Sequence, residues 1–378
     1  MSGILNTIKN YNYRHLNVRL IIWIFSITVL GILIIASATE STSYEKKQVL
    51  GLALGIIVMI CAMMVSYRFL LRFYMFFYVV NIILLLCVIF IGSNHKGAQR
   101  WIDLKFIQIQ PSEFSKILLI LFFAAFFEKY ADRLNTPKII FGALGLLAMP
   151  LLLILKQPDL STSIVISLMF CSIIFIAGLD YKIIAGVLGI SVPLVIIFIY
   201  LIMQPDQKLL KGYQLKRINA FVHSEDKEYA GLNFQQDNSV MAIGSGGLFG
   251  KGLNNNTTTS VKNGKYISEP QTDFIFCIVG EELGFVGSSG VIILLLLIVI
   301  ECFYIGANAP DLSGRLIACG FGFLIAVQSF VNIAVVTKLL PNTGLPLPFV
   351  SYGLSSLVSL FAASGVVLNV GLQRRDMY

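Results

Sequence analysis

The stretch that decides the fold is DFIFCIVGEELGFVGSSGVIILLLLIVIEC, residues 273–302. Its second half, VIILLLLIVI at 291–300, is an unbroken aliphatic run. A helix needs about 20 mainly apolar residues to cross the roughly 30 Å hydrocarbon core of a bilayer. The stretch therefore predicts a membrane-spanning helix with an acidic residue, Asp273, at its first position.

The rest of the chain has the same character. Its 378 residues are 57% apolar and 13% charged, with a mean hydropathy of +0.82, whereas soluble domains are about 25% charged. This composition excludes a soluble globular enzyme, and a chain so apolar does not stay disordered. The formal net charge is +8. Because the basic residues form no stripe or cluster, nucleic acid is excluded as a partner and we expect a membrane setting.

Apolar runs of spanning length recur along the chain. They predict an all-α polytopic membrane protein of about ten transmembrane helices, a single membrane domain over residues 1–378. The predicted spans are 18–38, 49–66, 70–92, 113–128, 138–155, 160–179, 183–203, 273–302, 315–338 and 350–371.

One large polar segment, residues 204–272, separates the seventh predicted span from the eighth. Connections of this length are usually functional. Lys and Arg residues in the short loops are more frequent on the side of the two termini, which by the positive-inside rule predicts cytoplasmic N- and C-termini. The 204–272 segment is then a large extracytoplasmic loop of a multi-pass membrane protein.

The cysteines and histidines do not indicate a metal centre. The six cysteines lie in or beside apolar stretches without CxxC spacing, and His15, His95 and His223 are far apart. A zinc or iron site built from these residues is not expected.

Two polar sites lie at the outer ends of predicted helices. In the first, Glu113 and Lys116 follow Pro111, and their spacing predicts either an internal ion pair or an anion site that Glu113 orients. In the second, Lys156 and Asp159 share a tight turn. Asp159 is either a helix N-cap or, with Lys156, part of a phosphate or metal site.

The third site is the start of the eighth span. Asp273 stands beside Phe274, and Glu281 lies about 80° round the helix, on a face with Gly280 and Gly284. Small residues leave room for a ligand or a partner helix. We expect Asp273 to be a general base, with an N-cap as the alternative, and expect Glu281, Gly280 and Gly284 to serve partner packing or structure.

The fourth site is the proline-broken loop LPNTGLPLPFVSYG, residues 340–353, with Gln328 and Asn332 in the preceding span. Irregular backbone at membrane depth persists only where it is buried or lines a cavity. The loop is therefore predicted to line an outer cavity, with Ser351 as a substrate-binding candidate. The glycine run 244–252 matches neither a Walker loop nor a GxGxxG fingerprint. It predicts a flexible loop or a backbone surface for a lipid-linked substrate.

A set of motifs covers the chain from about residue 97 onward: GAQRWI, QPSEF, KQPDLST, YQLKRI, AIGSGGLFGKGL, EPQTDFIF with GEELGF, and LPNTGLPLPFVSYG. Together and in this order they resemble the SEDS family of bacterial cell-wall proteins, which includes RodA, FtsW and SpoVE. The chain departs from the family pattern at Leu354, where a second glycine is usual. The lack of long terminal tails favours a RodA-like member.

The resemblance implies a peptidoglycan glycosyltransferase that polymerises lipid II into β-1,4-linked strands on the extracytoplasmic side, in cell elongation or division. It implies a class B penicillin-binding transpeptidase as partner, with other elongation or division proteins. It assigns the essential aspartate to Asp273, and further functional positions to Arg100, Glu113, Lys116 and Arg217.

This reaction needs a base for the acceptor hydroxyl and cations for the departing diphosphate. We expect Asp273 to be the base, and the cations to be Arg100, Lys116, Lys156 and Arg217, with a divalent cation such as Mg²⁺ or Mn²⁺ as a further expectation. Two alternatives stay open. A lipid II flippase would use the same lipid and cavity, and a scaffold of the elongation or division machinery would need none of these charges.

Overall fold

The computed structural model describes residues 13–39, 41–95, 98–104, 107–187, 189, 193, 230–254, 260, 264, 266, 267 and 269–374. Its helices include α1 (Val18–Ala38), α2 (Thr42–Met64), α3 (Tyr67–Leu71), α4 (Tyr74–Ile91), α5 (Pro111–Lys129), α6 (Pro137–Lys156), α7 (Leu160–Ile176), α8 (Ala230–Ser245), α9 (Ile275–Ala307), α10 (Leu312–Val336) and α11 (Leu354–Leu372).

The polytopic helical fold predicted from hydropathy is confirmed. Among the described residues, seven helices are long and apolar enough to cross a membrane, namely α1, α2, α4, α6, α9, α10 and α11. Helix α7 is apolar but shorter, and α5 coincides with the fourth predicted span. Most of the seventh predicted span, 183–203, and about half of the loop 204–272 lie outside the described residues.

Three local features differ from the prediction. The third predicted span, 70–92, is divided because Arg72 and Phe73 form a turn between α3 and α4. The start of α3 is fixed to α11, because the Tyr67 amide donates a 2.8 Å hydrogen bond to Asn369 Oδ1. Helix α8 lies within the segment predicted as a loop. The hydropathy pattern did not predict this helix, because polar residues interrupt its apolar sequence.

The third difference is a small antiparallel sheet between α4 and α5, so the protein is not purely α-helical. Its strands are β1 (Ser93–His95), β2 (Ala98–Leu104) and β3 (Ile107–Ile109), in the order β1-β2-β3. Trp101 pairs with Ser93, and Ile102 pairs with Ile109. Strands β1 and β3 have only three residues each, too few for hydropathy to reveal. Strand β2 brings Arg100 to the turn between α6 and α7.

Helices α10 and α11 form the centre of the bundle. In their most apolar windows 67% and 72% of residues are buried inside the protein, against 22% in each of α2, α4 and α6. Helix α11 packs closely on α2, because a Cβ on Gly365 would lie 2.3 Å from the Met59 carbonyl oxygen. Such close approach of backbones is typical of small residues between membrane helices. The outer helices leave apolar side chains exposed, as a lipid-facing surface requires.

Candidate active site

Asp273 lies in the turn just before α9 and is half-buried. Its backbone carbonyl accepts a 2.8 Å hydrogen bond from Asn332 Nδ2 of α10. Its carboxylate faces the 340–353 loop, since a Cβ on Gly344 would lie 3.2 Å from Asp273 Oδ2. Gly344 has a φ of +72°, a conformation suited to glycine. The turn and the loop therefore form one wall around the carboxylate.

Hydrogen bonds fasten this loop to its surroundings on both sides. Ser351 Oγ donates to the Thr272 carbonyl at 2.7 Å and accepts from the Leu347 amide at 2.7 Å. The Tyr352 amide donates to the Gln271 carbonyl at 2.8 Å. The hydroxyl of Ser351, predicted to bind substrate, is thus occupied by backbone groups and holds the loop beside Asp273. A substrate contact for Ser351 stays a prediction.

Helix α10 supports the loop from beneath. Gln328 Nε2 donates to the Pro346 carbonyl at 2.9 Å, and Asn332 Nδ2 donates to the Leu345 carbonyl at 2.6 Å. The two amides are four residues apart and so lie on one helix face. Both side chains are at most 1% exposed. A buried backbone carbonyl without a hydrogen-bond donor would raise the free energy of the folded state. The face of α10 that carries these two amides therefore specifies the path of the loop.

Lys116 and Glu113 form the internal ion pair that their spacing predicts as one alternative. Lys116 Nζ lies 2.7 Å from Glu113 Oε1 and donates to Gln328 Oε1 at 2.8 Å. The other Glu113 oxygen accepts from Ser356 Oγ at 2.7 Å. Both charged side chains are only 1% exposed. The pair therefore joins α5, α10 and α11 beneath the 340–353 loop. Lys116 also contacts the Gln328 side chain, whose amide nitrogen donates to the Pro346 carbonyl.

Asp159 is the N-cap of α7, the alternative that the sequence left open. Its Oδ1 accepts from the Thr162 amide at 3.2 Å, and it lies 3.7 Å from Arg100 Nη1. Arg100 also donates to the carbonyls of Gln157 and Pro158. The β2 arginine thus clamps the turn between α6 and α7.

The clamped turn carries Lys156, whose side chain is exposed at the end of α6. Arg100 keeps only 17% of its side chain exposed. Of the cations predicted for a diphosphate, Lys116 is buried and ion-paired, whereas Lys156 is accessible. Arg217, the fourth, lies outside the described residues.

The glycine run packs its backbone against α9, although Leu248 and Phe249 within it are 56% and 76% exposed. The Lys251 and Gly252 amides donate to the Glu281 and Glu282 carbonyls, each at 2.9 Å, and Lys251 Nζ binds Glu281 Oε1 at 2.8 Å. A Cβ on Gly280 would lie 2.8 Å from Ile243 Cγ1 of α8.

Gly284 breaks the helical geometry of α9, with φ 64° and ψ −159°. A Cβ there would lie 2.3 Å from the Gly250 amide nitrogen. The chain's own contacts thus give Glu281, Gly280 and Gly284 a structural role, and partner packing stays a prediction.

Protein ligands for a metal ion do not converge in the described part of the chain, which contains no group of three or more His, Cys, Asp or Glu residues arranged to hold one. Both oxygens of Glu113 already have partners. The described residues therefore do not fit a metal centre built by the protein alone. A metal ion shared between one carboxylate and substrate phosphates needs fewer protein ligands.

Sequence reasoning missed Gln48 of α2. Its side chain is fully buried, donates to the Ser351 carbonyl at 3.2 Å and accepts from the Gly353 amide at 3.3 Å. It also missed Ser161, whose hydroxyl donates to the Thr343 carbonyl at 2.6 Å. In both cases the sequence feature that could have indicated the residue is an uncharged polar side chain near the outer end of an apolar helix. Both residues secure the same loop.

The comparisons with known proteins agree with this architecture. The family model for the cell cycle proteins FtsW, RodA and SpoVE matches residues 17–376, and the chain belongs to this family. It is 34% identical over 364 residues to the peptidoglycan glycosyltransferase MrdB of Escherichia coli K12, covering 96% of this chain and 95% of MrdB. It is 36% identical over 341 residues to the stage V sporulation protein E of Bacillus subtilis, covering 89% of each.

Two solved structures share the fold. A chain from a structure titled for the coordination of polymerization and crosslinking by a peptidoglycan synthase complex superposes with a TM-score of 0.81 at 26% identity, covering 97% of this chain and 99% of the other. The rod shape determining protein RodA of Thermus thermophilus superposes with a TM-score of 0.67 at 26% identity, covering 97% and 98%. The similarity therefore spans nearly the whole chain.

Proposed function

We propose that the protein is a peptidoglycan glycosyltransferase that polymerises lipid II into β-1,4-linked glycan strands on the outer side of the plasma membrane. The observation that carries the proposal is the fixed position of Asp273, held through its carbonyl by Asn332 and facing Gly344 with its carboxylate. Relatives named as peptidoglycan glycosyltransferases, matched over most of their length, support the same activity.

The proposed reaction is a single inverting displacement. The Asp273 carboxylate takes the proton from the 4-hydroxyl of the acceptor GlcNAc as that oxygen attacks C1 of the donor MurNAc. The new O4–C1 bond forms as the C1–O bond to undecaprenyl diphosphate breaks, so the α linkage of the donor becomes a β-1,4 bond. Cations stabilise the charge that develops on the departing diphosphate.

We assign two classes of role to the surrounding charges. Lys156, exposed on the clamped turn, and Arg217 are the proposed diphosphate contacts. Arg100, which holds that turn, and the Glu113–Lys116 pair, which supports the loop, are proposed as positioning residues. A direct contact of Arg100, Glu113, Lys116 or Asp159 with substrate stays a prediction.

The partner in this proposal is a class B penicillin-binding transpeptidase, as the similarity to a chain of a peptidoglycan synthase complex suggests. With both termini cytoplasmic, Asp273 lies on the outer side, where lipid II is polymerised. A divalent cation bound to the substrate diphosphate is a further proposal. It predicts that chelation with EDTA reduces polymerisation and that Mg²⁺ or Mn²⁺ restores it.

The test is glycan polymerisation from labelled lipid II by the purified protein with its transpeptidase partner. Asp273→Asn should reduce the rate by about 10²- to 10⁴-fold, the usual contribution of a general base. Asp237→Asn is the matched control, since Asp237 is a half-exposed aspartate of α8 that pairs with Lys338. Full activity of Asp273→Asn would overturn the assignment of the base. Absence of polymer with partner and metal present would favour lipid II flipping or scaffolding.

A further inference from the structure

A polar cavity of about 300 Å³ lies at the end of the bundle away from Asp273. Its wall includes Glu301 and Tyr304 near the end of α9, and Asp273 immediately precedes that helix. At 1.5 Å per residue, the 26 steps along the chain from Ile275 to Glu301 correspond to a path of about 39 Å. The cavity is therefore separate from the candidate active site and lies at the opposite membrane interface.

Basic side chains dominate the wall of this cavity. Three arginines line it, one before α1, one in its first turn and one after α11, namely Arg14, Arg19 and Arg374. His15 adds a titratable ring, and Glu301 is the acidic residue of the wall. With His15 neutral the wall carries a formal charge of +2. A concave, cationic wall at a membrane interface attracts an anion.

Glu301 already has partners in the protein. Its Oε2 accepts a 2.7 Å hydrogen bond from Asn17 Nδ2, and its Oε1 lies 3.6 Å from Arg19 Nη1. Asn17 is itself fixed, because its Oδ1 caps α1 by accepting from the Leu20 amide at 2.9 Å. The carboxylate therefore orients Arg19 and the start of α1. Arg14 and Arg374 are the other two arginines of the wall, and the three arginines outnumber the single glutamate.

Arg374 is positioned beside a hydroxyl group on the cavity wall. Its Nη1 donates to the Tyr304 hydroxyl at 3.3 Å. A guanidinium and a phenol that share a concave wall offer hydrogen-bond donors to phosphate oxygens, and arginine suits such oxygens because its donors form a planar fork.

Apolar, lipid-facing side chains adjoin the cavity on two helices. On α1, Val18 is 53% exposed and is followed one turn later by Ile22 at 49%. On α9, Tyr304 is 53% exposed and is preceded one turn earlier by Ile300 at 50%. Val18 and Tyr304 belong to the cavity wall itself. A ligand whose phosphate occupies the cavity can therefore extend acyl chains along exposed apolar surface, which a soluble anion does not need.

We propose that this cavity binds the phosphodiester headgroup of an anionic membrane phospholipid, with Arg14 and Arg374 as the principal cationic contacts. Basic pockets between membrane helices bind acidic headgroups by this chemistry. The site would bring anionic lipid to the ends of α1, α9 and α11, and its occupancy does not depend on glycan synthesis.

The test is lipid binding by the full-length protein in neutral detergent, followed by native mass spectrometry. Phosphatidylglycerol, phosphatidylcholine and inorganic phosphate are titrated separately. We expect phosphatidylglycerol to bind more tightly than phosphatidylcholine, and inorganic phosphate not to displace it. The double variant Arg14→Gln/Arg374→Gln should weaken phosphatidylglycerol binding by about 30-fold, on the order of fivefold per basic residue. Arg14→Lys/Arg374→Lys keeps the charge and should retain most of the affinity.

The matched control is Arg133→Gln/Lys138→Gln. Arg133 lies in the segment that joins α5 to α6, and Lys138 lies in the first turn of α6. Both are exposed and do not line the cavity, so the control removes the same charge elsewhere. A thermal unfolding midpoint measured without lipid verifies that each variant is folded. Equal weakening in the control pair, equal affinity for the two phospholipids, or displacement by inorganic phosphate would each overturn the proposal.

Discussion

Asn332 of α10 and Asp273 are joined by a 2.8 Å hydrogen bond from the asparagine amide to the aspartate carbonyl. The same amide nitrogen donates at 2.6 Å to the Leu345 carbonyl. One buried side chain therefore connects the backbone of the proposed base to the loop that its carboxylate faces. The position of Asp273 depends on α10 as well as on the helix that it precedes.

The first prediction concerns Asn332→Ala. Loss of this amide leaves two carbonyls without their donor, and each such bond contributes about 1 kcal/mol. Because a small displacement of a reacting group can cost up to about 100-fold, we expect polymerisation to fall by about 10- to 100-fold. The measurement is the rate of glycan formation from labelled lipid II by folded protein.

Asn135→Ala is the matched control for Asn332→Ala. Asn135 also donates its amide to a carbonyl, that of Gly178, and accepts from the Asp180 amide, but it is exposed in the loop before α6. It should retain full activity. If the two variants polymerise lipid II equally well, the proposed positioning role of Asn332 is wrong.

The second prediction concerns the buried pair Glu113–Lys116. Removal of one member of a buried ion pair typically costs about 3–5 kcal/mol, because the other charge remains without compensation. Lys116→Met should therefore lower the thermal midpoint strongly. Addition of Glu113→Gln should recover much of the lost stability, since neither position of the pair then carries an uncompensated charge.

Activity of this double variant separates the two roles of Lys116. A positioning role predicts that activity returns together with stability when both charges are removed. A direct contact with the diphosphate predicts that stability returns and activity does not. Equal stability of the single and double variants would contradict the buried-pair argument itself.

Local spacing in the sequence was sufficient for several features of the site. Glu113 and Lys116 are three residues apart on one helix, so their ion pair follows from helical geometry. Asp159 stands directly before α7 and caps it. The polytopic helical fold was also predictable, because a long apolar run has few alternatives to a membrane helix.

Contacts between distant parts of the chain were not predictable in the same way. Gln48 holds the Ser351 carbonyl although 303 residues separate them, and nothing local to either residue indicates the contact. The packing of Gly250 on Gly284 is a similar case, since the kink of α9 becomes apparent only when both backbones are placed. Strands β1 and β3 were missed because each has three residues, and β2 was missed because its seven residues do not alternate between polar and apolar.

The third prediction is a pH dependence of stability at Asp311, the N-cap of α10. Burial favours the protonated carboxyl, but hydrogen bonds from Tyr67 at 2.7 Å, from the Gly314 amide and from Arg68 outweigh it and lower the pKa of Asp311. A lowered pKa in the folded state stabilises the protein above the ordinary carboxyl pKa, and this contribution is lost as pH falls through the lowered value.

Tyr67→Phe removes one of the hydrogen bonds that lower this pKa. The acid-induced loss of stability should then be smaller, and it should be complete at a higher pH, closer to the ordinary value for aspartate, in unfolding scans from pH 6 downward. Tyr78→Phe is the control, since Tyr78 donates to a neutral carbonyl, that of Leu146, at 2.8 Å. If the acid-induced loss of stability is unchanged in Tyr67→Phe, or changes equally in the control, the assignment is contradicted.

The fourth prediction concerns Gly284, where α9 bends beneath the glycine run. Its φ of 64° and ψ of −159° lie in a region that is essentially restricted to glycine and costs other residues about 1–3 kcal/mol. A Cβ there would also lie 2.8 Å from the Leu248 carbonyl oxygen. Gly284→Ala should therefore lower the thermal midpoint of unfolding, which scanning fluorimetry in detergent can measure.

Gly290 of the same helix provides the control for Gly284→Ala. A Cβ on Gly290 meets no atom within 4 Å among the described residues, and alanine is favoured over glycine inside a helix by about 1 kcal/mol. Gly290→Ala should therefore leave the midpoint unchanged or raise it. If the two alanine variants unfold at the same temperature, the run 244–252 does not require the bend at Gly284, and its packing on α9 contributes little to stability.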